Sequence, residues 1–350
     1  MSSYSSSSTT KSMTLPSPFT VAIVCPPEND EVLSSLPSKD GVNYIIGNDI
    51  DSFTSHTNFN SIRALMFVAV GGDAQLLPTL FDACGNNVKW VHSLFAGVDA
   101  LHSFSETHLR PNHITLTNGR GAFSESLAEY VMAAALHFNK SITKLQENQK
   151  QKNWDKFIMP TLKGKTMGFL GFGHIGTTTA KLAKQFGMKI ISLRRDPSKD
   201  SPFADVVLGS NDKLKLFQES DFVVSVLPGT PETENYCSET EFSSMKDSGI
   251  FISVGRGSVV DEEALYNALN NNEIAGAALD VFKVEPLPED SKLWDLNEKI
   301  LLSSHNADFT QDYFELGWSV FEKNLNAFIE SNGNCNDTTM ITPVDKENGY

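Results

Sequence analysis

Residues 165–176 read KTMGFLGFGHIG, and the fold follows from this stretch and its flanks. Met167, Gly168, Phe169 and Leu170 form a short apolar run of the kind a buried strand makes. Gly171, Gly173 and Gly176 follow at the spacing G-x-G-x-x-G. Helical spacing starts at once, with Ile175, Thr179, Leu182, Ala183 and Phe186 on one stripe. Gly187 marks a turn, and residues 188–193 form a second strand-like run. Strand, glycine turn, helix and strand make a βαβ unit with the dinucleotide fingerprint in its first turn. Gly171 makes the tight turn, Gly173 lets the main chain approach a pyrophosphate, and Gly176 lets helix and strand pack closely. His174 and Ile175 open the helix, whose free N–H donors and partial positive charge suit a phosphate. A glycine-rich turn in an unrelated α/β protein is the alternative, and the flanking pattern argues against it.

Working outward, residues 205–208, 221–226, 250–254, 275–280 and 300–303 read as further strands, with helical pieces such as 261–270 between them. Strands alternating with helices imply a parallel sheet. Upstream, 21–25, 42–46, 64–70, 88–94 and 114–116 read as strands and 76–83 as a helix. This is a first α/β domain without a fingerprint of its own. Residues 119–123 read as a loop with Ser124 as candidate N-cap. SESLAEYVMAAALHF then makes a long helix, apolar on most sides, which suits a crossover between domains or an oligomer contact. Residues 315–329 form an amphipathic helix. The chain is expected to leave the second domain after His305 and return to the first, with the active cleft between the domains.

Composition narrows the function. A length of 350 residues suits two domains. With 40% hydrophobic and 20% charged residues the chain is soluble and globular in profile. A net charge of -15 weighs against nucleic-acid and anionic-membrane partners, though not against a local basic pocket. Cys25, Cys84, Cys237 and Cys335 show no pairing or metal-ligand spacing, so a reducing, cytoplasmic setting and no metal are expected. No apolar run approaches the ~20 residues of a membrane span. The opening MSSYSSSSTT lacks the basic start and apolar stretch of a signal peptide and reads as a disordered Ser-rich tail.

Three residues at strand ends could carry chemistry. Arg256 lies in SVGRG, Glu285 in LDVFKVEP, and His305 follows ILLSS. Ligands of an open parallel sheet bind beyond the carboxyl ends of its strands, so all three are expected to face one crevice beside the fingerprint. Arginine supplies a fixed cation for a carboxylate or a polarised carbonyl. Histidine gives or takes a proton near neutral pH, and a carboxylate can orient it. Singly, each has a bland alternative: a packing histidine, a solvated glutamate, a structural ion pair.

Together, GFGHIG, VGRG, LDVFKVEP and SSHNA, in this order and spacing, resemble the D-2-hydroxyacid dehydrogenase family. FAGVDAL, TNGRGAFSESLAEYV, TPET and VVDEEAL match as well, and the likeness covers roughly residues 21–333. The resemblance implies Arg256, Glu285 and His305 as the catalytic set, Asp280 near the nicotinamide, and the main chain of Ala96, Gly97 and Val98 at the substrate carboxylate. Leu227, Val254 and Gly255 complete the expected cofactor-binding residues. A homodimer is implied too. Ser304 stands where the family commonly has proline, and SVGRG replaces the more usual TARG form. The expected fold is α/β: a Rossmann dinucleotide-binding domain (121–308) inserted into a flavodoxin-like substrate domain (19–120 and 309–335), both doubly wound parallel sheets. Tails are expected at 1–18 and 336–350.

The cofactor can be read from the end of the second strand. NAD-using folds usually place an acid there, bonded to the ribose 2′-hydroxyl. This chain has Arg194 and Arg195, which suit a 2′-phosphate. NADP(H) is therefore favoured, with NAD(H) as the alternative if Asp196 reaches the ribose. The expected activity is NADPH-dependent reduction of small 2-oxoacids to 2-hydroxy acids, resembling glyoxylate/hydroxypyruvate reductases. The alternatives are an NAD-linked relative of D-lactate or phosphoglycerate type and a non-catalytic, corepressor-like nucleotide sensor. Phe95, Arg120, Phe309 and Trp318 are candidates for shaping the pocket.

Overall fold

A computed structural model describes residues 15–199 and 201–346. Most of the expected N-terminal tail lies outside them, as do the last four residues. The chain divides into two units. The first takes in the described residues up to Arg120 and from Phe314 onward; the second is Gly121–Tyr313. The return thus falls between Tyr313 and Phe314 rather than at 308/309.

In the first unit, β1 (Phe19–Val24), β2 (Val42–Gly47), β3 (Ile62–Phe67), β4 (Trp90–Ser93) and β5 (Thr115–Asn118) form one parallel sheet. Its order is β2-β1-β3-β4-β5, the flavodoxin-like winding. β1 is buried at every position, as a parallel strand covered on both faces must be. The helix Tyr313–Glu330 brings Phe321 flat onto Trp90, with ring centroids 5.4 Å apart. Trp318 on the same helix is 3% exposed and packs on Tyr44 and Phe321, so it belongs to this core and does not line a pocket. The expected C-terminal tail is also corrected for its described residues. Thr342 Oγ1 donates to Asn118 O at 2.6 Å, Val344 N donates to Leu116 O at 2.8 Å, and Val344 is buried.

In the second unit, β6 (Thr166–Leu170), β7 (Lys189–Arg194), β8 (Val206–Gly209), β9 (Phe222–Ser225), β10 (Ile250–Ser253), β11 (Gly276–Leu279) and β12 (Ile300–Leu302) form a parallel sheet. Its order is β12-β11-β10-β9-β6-β7-β8. The chain winds outward from β6 to β8, then returns to lay β9 against β6. The switch point therefore lies where the fingerprint leaves β6. Asp261 caps the helix Glu262–Asn270 by accepting from Ala264 N at 3.1 Å.

The fingerprint helix His174–Gln185 buries Gly176, Thr179, Ala180 and Ala183. Of the expected stripe, Thr179 and Ala183 are buried and Ile175 and Leu182 half-buried. Phe186 is its C-cap and stays exposed, because small residues, not large ones, face the neighbouring elements. One neighbour is the long helix Ser124–Asn139, which packs along it and lies wholly in the second unit. Phe123 is the N-cap there, and Ser124, the expected cap, is the first helical residue. Among the described residues no helix is long and apolar enough to cross a membrane.

Candidate active site

The three fingerprint glycines carry three different signatures. Gly171 has φ +85°, which a side chain would strain, and its N–H donates to Leu193 O at 3.2 Å. A β-carbon on Gly176 would come within 3.1 Å of Gly171 O and 3.2 Å of the Phe172 ring. One on Gly173 would meet nothing within 4 Å. Gly173 therefore leaves room for something other than protein, at the N-cap of the helix that His174 and Ile175 begin. A dinucleotide fits this arrangement.

Neighbouring strand ends close in beside it. Val254 N donates to Ser225 O at 3.1 Å, and a β-carbon on Gly255 would lie 2.4 Å from Leu227 O. At the end of β7, Arg194 Nη1 donates to Ser201 Oγ at 3.1 Å. The Glu232 carboxyl is held below the usual range by hydrogen bonds from its own N–H and the Thr230 hydroxyl, with the charge of Arg195 adding to them. Asp196 closes its own turn: its Oδ1 accepts from Ser198 N at 3.0 Å and Ser198 Oγ at 2.6 Å.

Arg256 follows β10 and is half-buried, with Nη1 donating to Gly255 O at 2.9 Å. Gly257 fixes this loop. A β-carbon there would sit 1.9 Å from the Phe282 carbonyl carbon and 2.5 Å from Lys283 N. Only glycine lets the loop after β10 lie on the loop after β11, which carries Glu285. That second loop is itself pinned, since Phe282 N donates to Glu285 Oε1 at 2.8 Å and Lys283 N to Glu262 Oε1 at 2.6 Å.

The other Glu285 oxygen, Oε2, lies 2.7 Å from His305 Nδ1. A carboxylate only accepts, so we assign the proton to Nδ1, which leaves Nε2 for a ligand. The two side chains are 35% and 41% exposed, so the pair is reachable. His305 has φ +49°, a conformation that costs on the order of 1–3 kcal/mol and persists only where the surroundings dictate it. Asp280 does much of that dictating. Its carbonyl accepts from His305 N at 2.8 Å, and its carboxylate accepts from Ser303 Oγ, Asn306 N and Ala307 N. At 1% exposure Asp280 is an organiser of the histidine loop.

Sequence reasoning passed over several residues here. Burial pushes the Asp308 carboxyl up, while the charges of His305 and Arg256 draw it down and Asp280 adds to the rise. Tyr130 Oη is 2.7 Å from Ser303 Oγ, and Ser126 Oγ donates to Ala307 O. The available signal was two hydroxyl side chains four apart, Ser126 and Tyr130, on one face of the helix. The Phe309 ring, 62% exposed, lies 5.0 Å from that of Tyr313. In the first unit, Asn118 Nδ2 donates to Ala96 O at 2.7 Å and Ser93 Oγ to Gly97 O at 3.2 Å. Among the described residues, the N–H groups of Ala96, Gly97 and Val98 have no protein partner.

A dinucleotide turn and a histidine–carboxylate pair opening on the same edge of one sheet suit hydride transfer coupled to proton transfer. Comparison with known proteins agrees. The model of the D-isomer specific 2-hydroxyacid dehydrogenase NAD binding domain matches residues 132–307. The hydroxypyruvate reductase of Thermotoga maritima is 33% identical over 244 residues, 68% of this chain and 77% of its own. The glyoxylate reductase of Thermococcus litoralis is 36% identical over 228 residues, 62% of this chain and 67% of its own. A D-isomer specific 2-hydroxyacid dehydrogenase from Xanthobacter autotrophicus, solved with NADPH and MES, has a TM-score of 0.77. It is 26% identical, and the match covers 96% of this chain and 100% of that one. The chain belongs to the D-isomer specific 2-hydroxyacid dehydrogenase family. It is an NAD(P)-dependent oxidoreductase whose nucleotide-binding domain is of Rossmann type.

Proposed function

We propose that this protein reduces small 2-oxoacids of the glyoxylate/hydroxypyruvate type to D-2-hydroxy acids with NADPH. The observation that carries the proposal is the 2.7 Å pairing of His305 Nδ1 with Glu285 Oε2 on a loop anchored to β11. When bound, the reduced nicotinamide supplies a hydride to the keto carbon. Arg256 binds the substrate carboxylate and polarises the keto oxygen. In the first unit, the N–H groups of Ala96, Gly97 and Val98 are of a kind that binds a carboxylate. His305 gives its Nε2 proton to the oxygen as negative charge develops there. Glu285 keeps the proton on Nδ1 and stabilises the imidazolium.

The names of the Thermotoga and Thermococcus relatives support the substrate class, and the NADPH held by the Xanthobacter relative supports the cofactor. Arg194 and Arg195 stand ready for the 2′-phosphate, while Asp196 is taken up by its own turn. NAD(H) is the weaker alternative. We propose a cytoplasmic homodimer: Trp154 at 98% and Ile158 at 92% exposure form apolar surface that a second copy would cover.

The test is NADPH oxidation by the purified protein with glyoxylate, hydroxypyruvate, pyruvate and bulkier 2-oxoacids, beside His305→Gln. General acid–base catalysis contributes ~10²–10⁴-fold, so the variant should lose that much kcat while its NADPH dissociation constant stays within about twofold. A variant keeping more than about half of wild-type kcat removes His305 from the mechanism. NADPH binding without turnover of any 2-oxoacid points instead to a nucleotide sensor.

A further inference from the structure

The helix Ser124–Asn139 is apolar over most of its surface, yet it sends two hydroxyls to the histidine loop. Ser126 and Tyr130 are four residues apart and so share one face. Ser126 Oγ donates to the carbonyl of Ala307. Tyr130 Oη lies 2.7 Å from Ser303 Oγ, which is 2.6 Å from Asp280 Oδ1. The Ser303 hydroxyl donates toward both oxygens, so it ties the phenol of the helix to the carboxylate that organises the loop. The two contacts fall two residues before and two residues after His305.

That bracketing meets a backbone that needs it. His305 is in the left-handed region, and the bonds from Asp280 fix the inner side of its loop. The outer side is fixed from the helix. The imidazole must also meet Glu285, which arrives on a different loop, at 2.7 Å. A small shift of residues 303–307 would break that pairing while leaving both loops folded. We infer that Ser126 and Tyr130 are positioning residues that hold the His305 loop in register with Glu285. They touch neither substrate nor cofactor, and the inference rests on the catalytic reading of His305.

The experiment is a cycle of variants: Ser126→Ala, Tyr130→Phe and their combination, each made in wild type and in His305→Gln. Misplacement by about 1 Å can cost ~10²-fold in rate. The combined variant should therefore lose about tenfold or more in kcat, with an unchanged NADPH dissociation constant and a little-altered thermal midpoint. In the His305→Gln background the same pair should change kcat less than twofold, because residues that act through His305 have nothing left to position. Ser126→Thr, which keeps the hydroxyl, should behave as wild type. Full kcat in the combined variant overturns the inference. So does an equal loss in both backgrounds, the mark of a general structural role. If His305→Gln itself retains activity, the catalytic reading falls and takes this inference with it. A fall confined to the positioning variants' cycle leaves that reading standing.

Discussion

Arg194 and Arg195 sit where a fold using NAD commonly has one acid, and the difference can be weighed residue by residue. A hydrogen bond to a charged partner contributes ~1.5–3 kcal/mol, and each 1.4 kcal/mol is about tenfold. Arg195 is exposed and shares its charge with Glu232, which argues for the lower end. Arg194→Asp combined with Arg195→Ser should therefore cost NADPH roughly a hundredfold in kcat/KM and leave saturating NADH turnover largely intact. Measuring both cofactors in both proteins decides it. An unaltered ratio assigns the choice to Asp196 or the main chain. At this scale the candidate catalytic set was legible, because Arg, Glu and His each follow a strand and announce themselves by residue type. Asp308 was not legible. Nothing in NADFT tells that the carboxyl will be half-buried beside His305 and Arg256.

Loops after successive strands make the site, and two glycines separate packing from binding. At Gly257 a β-carbon would run into main chain, which cannot yield cheaply. Overpacking of this kind costs ~1–3 kcal/mol or more. Gly257→Ala should lower the thermal midpoint by several degrees and, by parting the Arg256 loop from the Glu285 loop, reduce kcat/KM more than tenfold. At Gly173 a β-carbon meets open space. Gly173→Ala should leave the midpoint unchanged and weaken NADPH binding, because the methyl occupies room that the pyrophosphate needs. Normal NADPH affinity in that variant would sink the fingerprint reading. The element boundaries themselves were mostly readable from apolar runs and glycines. The face of the fingerprint helix was readable at Thr179 and Ala183 but not at Phe186, because its neighbours select small residues.

Across the molecule, acid should act first on the first unit. His92 is fully buried there, with Nδ1 2.7 Å from Thr117 Oγ1 and the Trp90 ring 5.8 Å away. Burial lowers its pKa to about 3, against about 6.5 in the unfolded chain. A depressed folded pKa contributes stability that is present above about pH 6.5 and is lost as pH falls toward 3. Thermal midpoints read by tryptophan fluorescence should therefore drop more steeply over that window in the wild type than in His92→Gln. Parallel slopes would clear His92 of the effect.

The sequence by itself determined the βαβ alternation, the glycine turn, the two α/β domains and the family. Each of these is written in local spacing: the period of apolar residues, the position of a glycine, the residue type after a strand. Tertiary structure alone decided the rest. It turned Asp280 toward the His305 loop, set Gly257 against Phe282, buried Trp318, and folded residues 340–344 back onto β5. It also joined Ser126 and Tyr130 to a loop far along the chain. These contacts depend on strand order and on which side chains lose water, and neither has a period that a sequence can display.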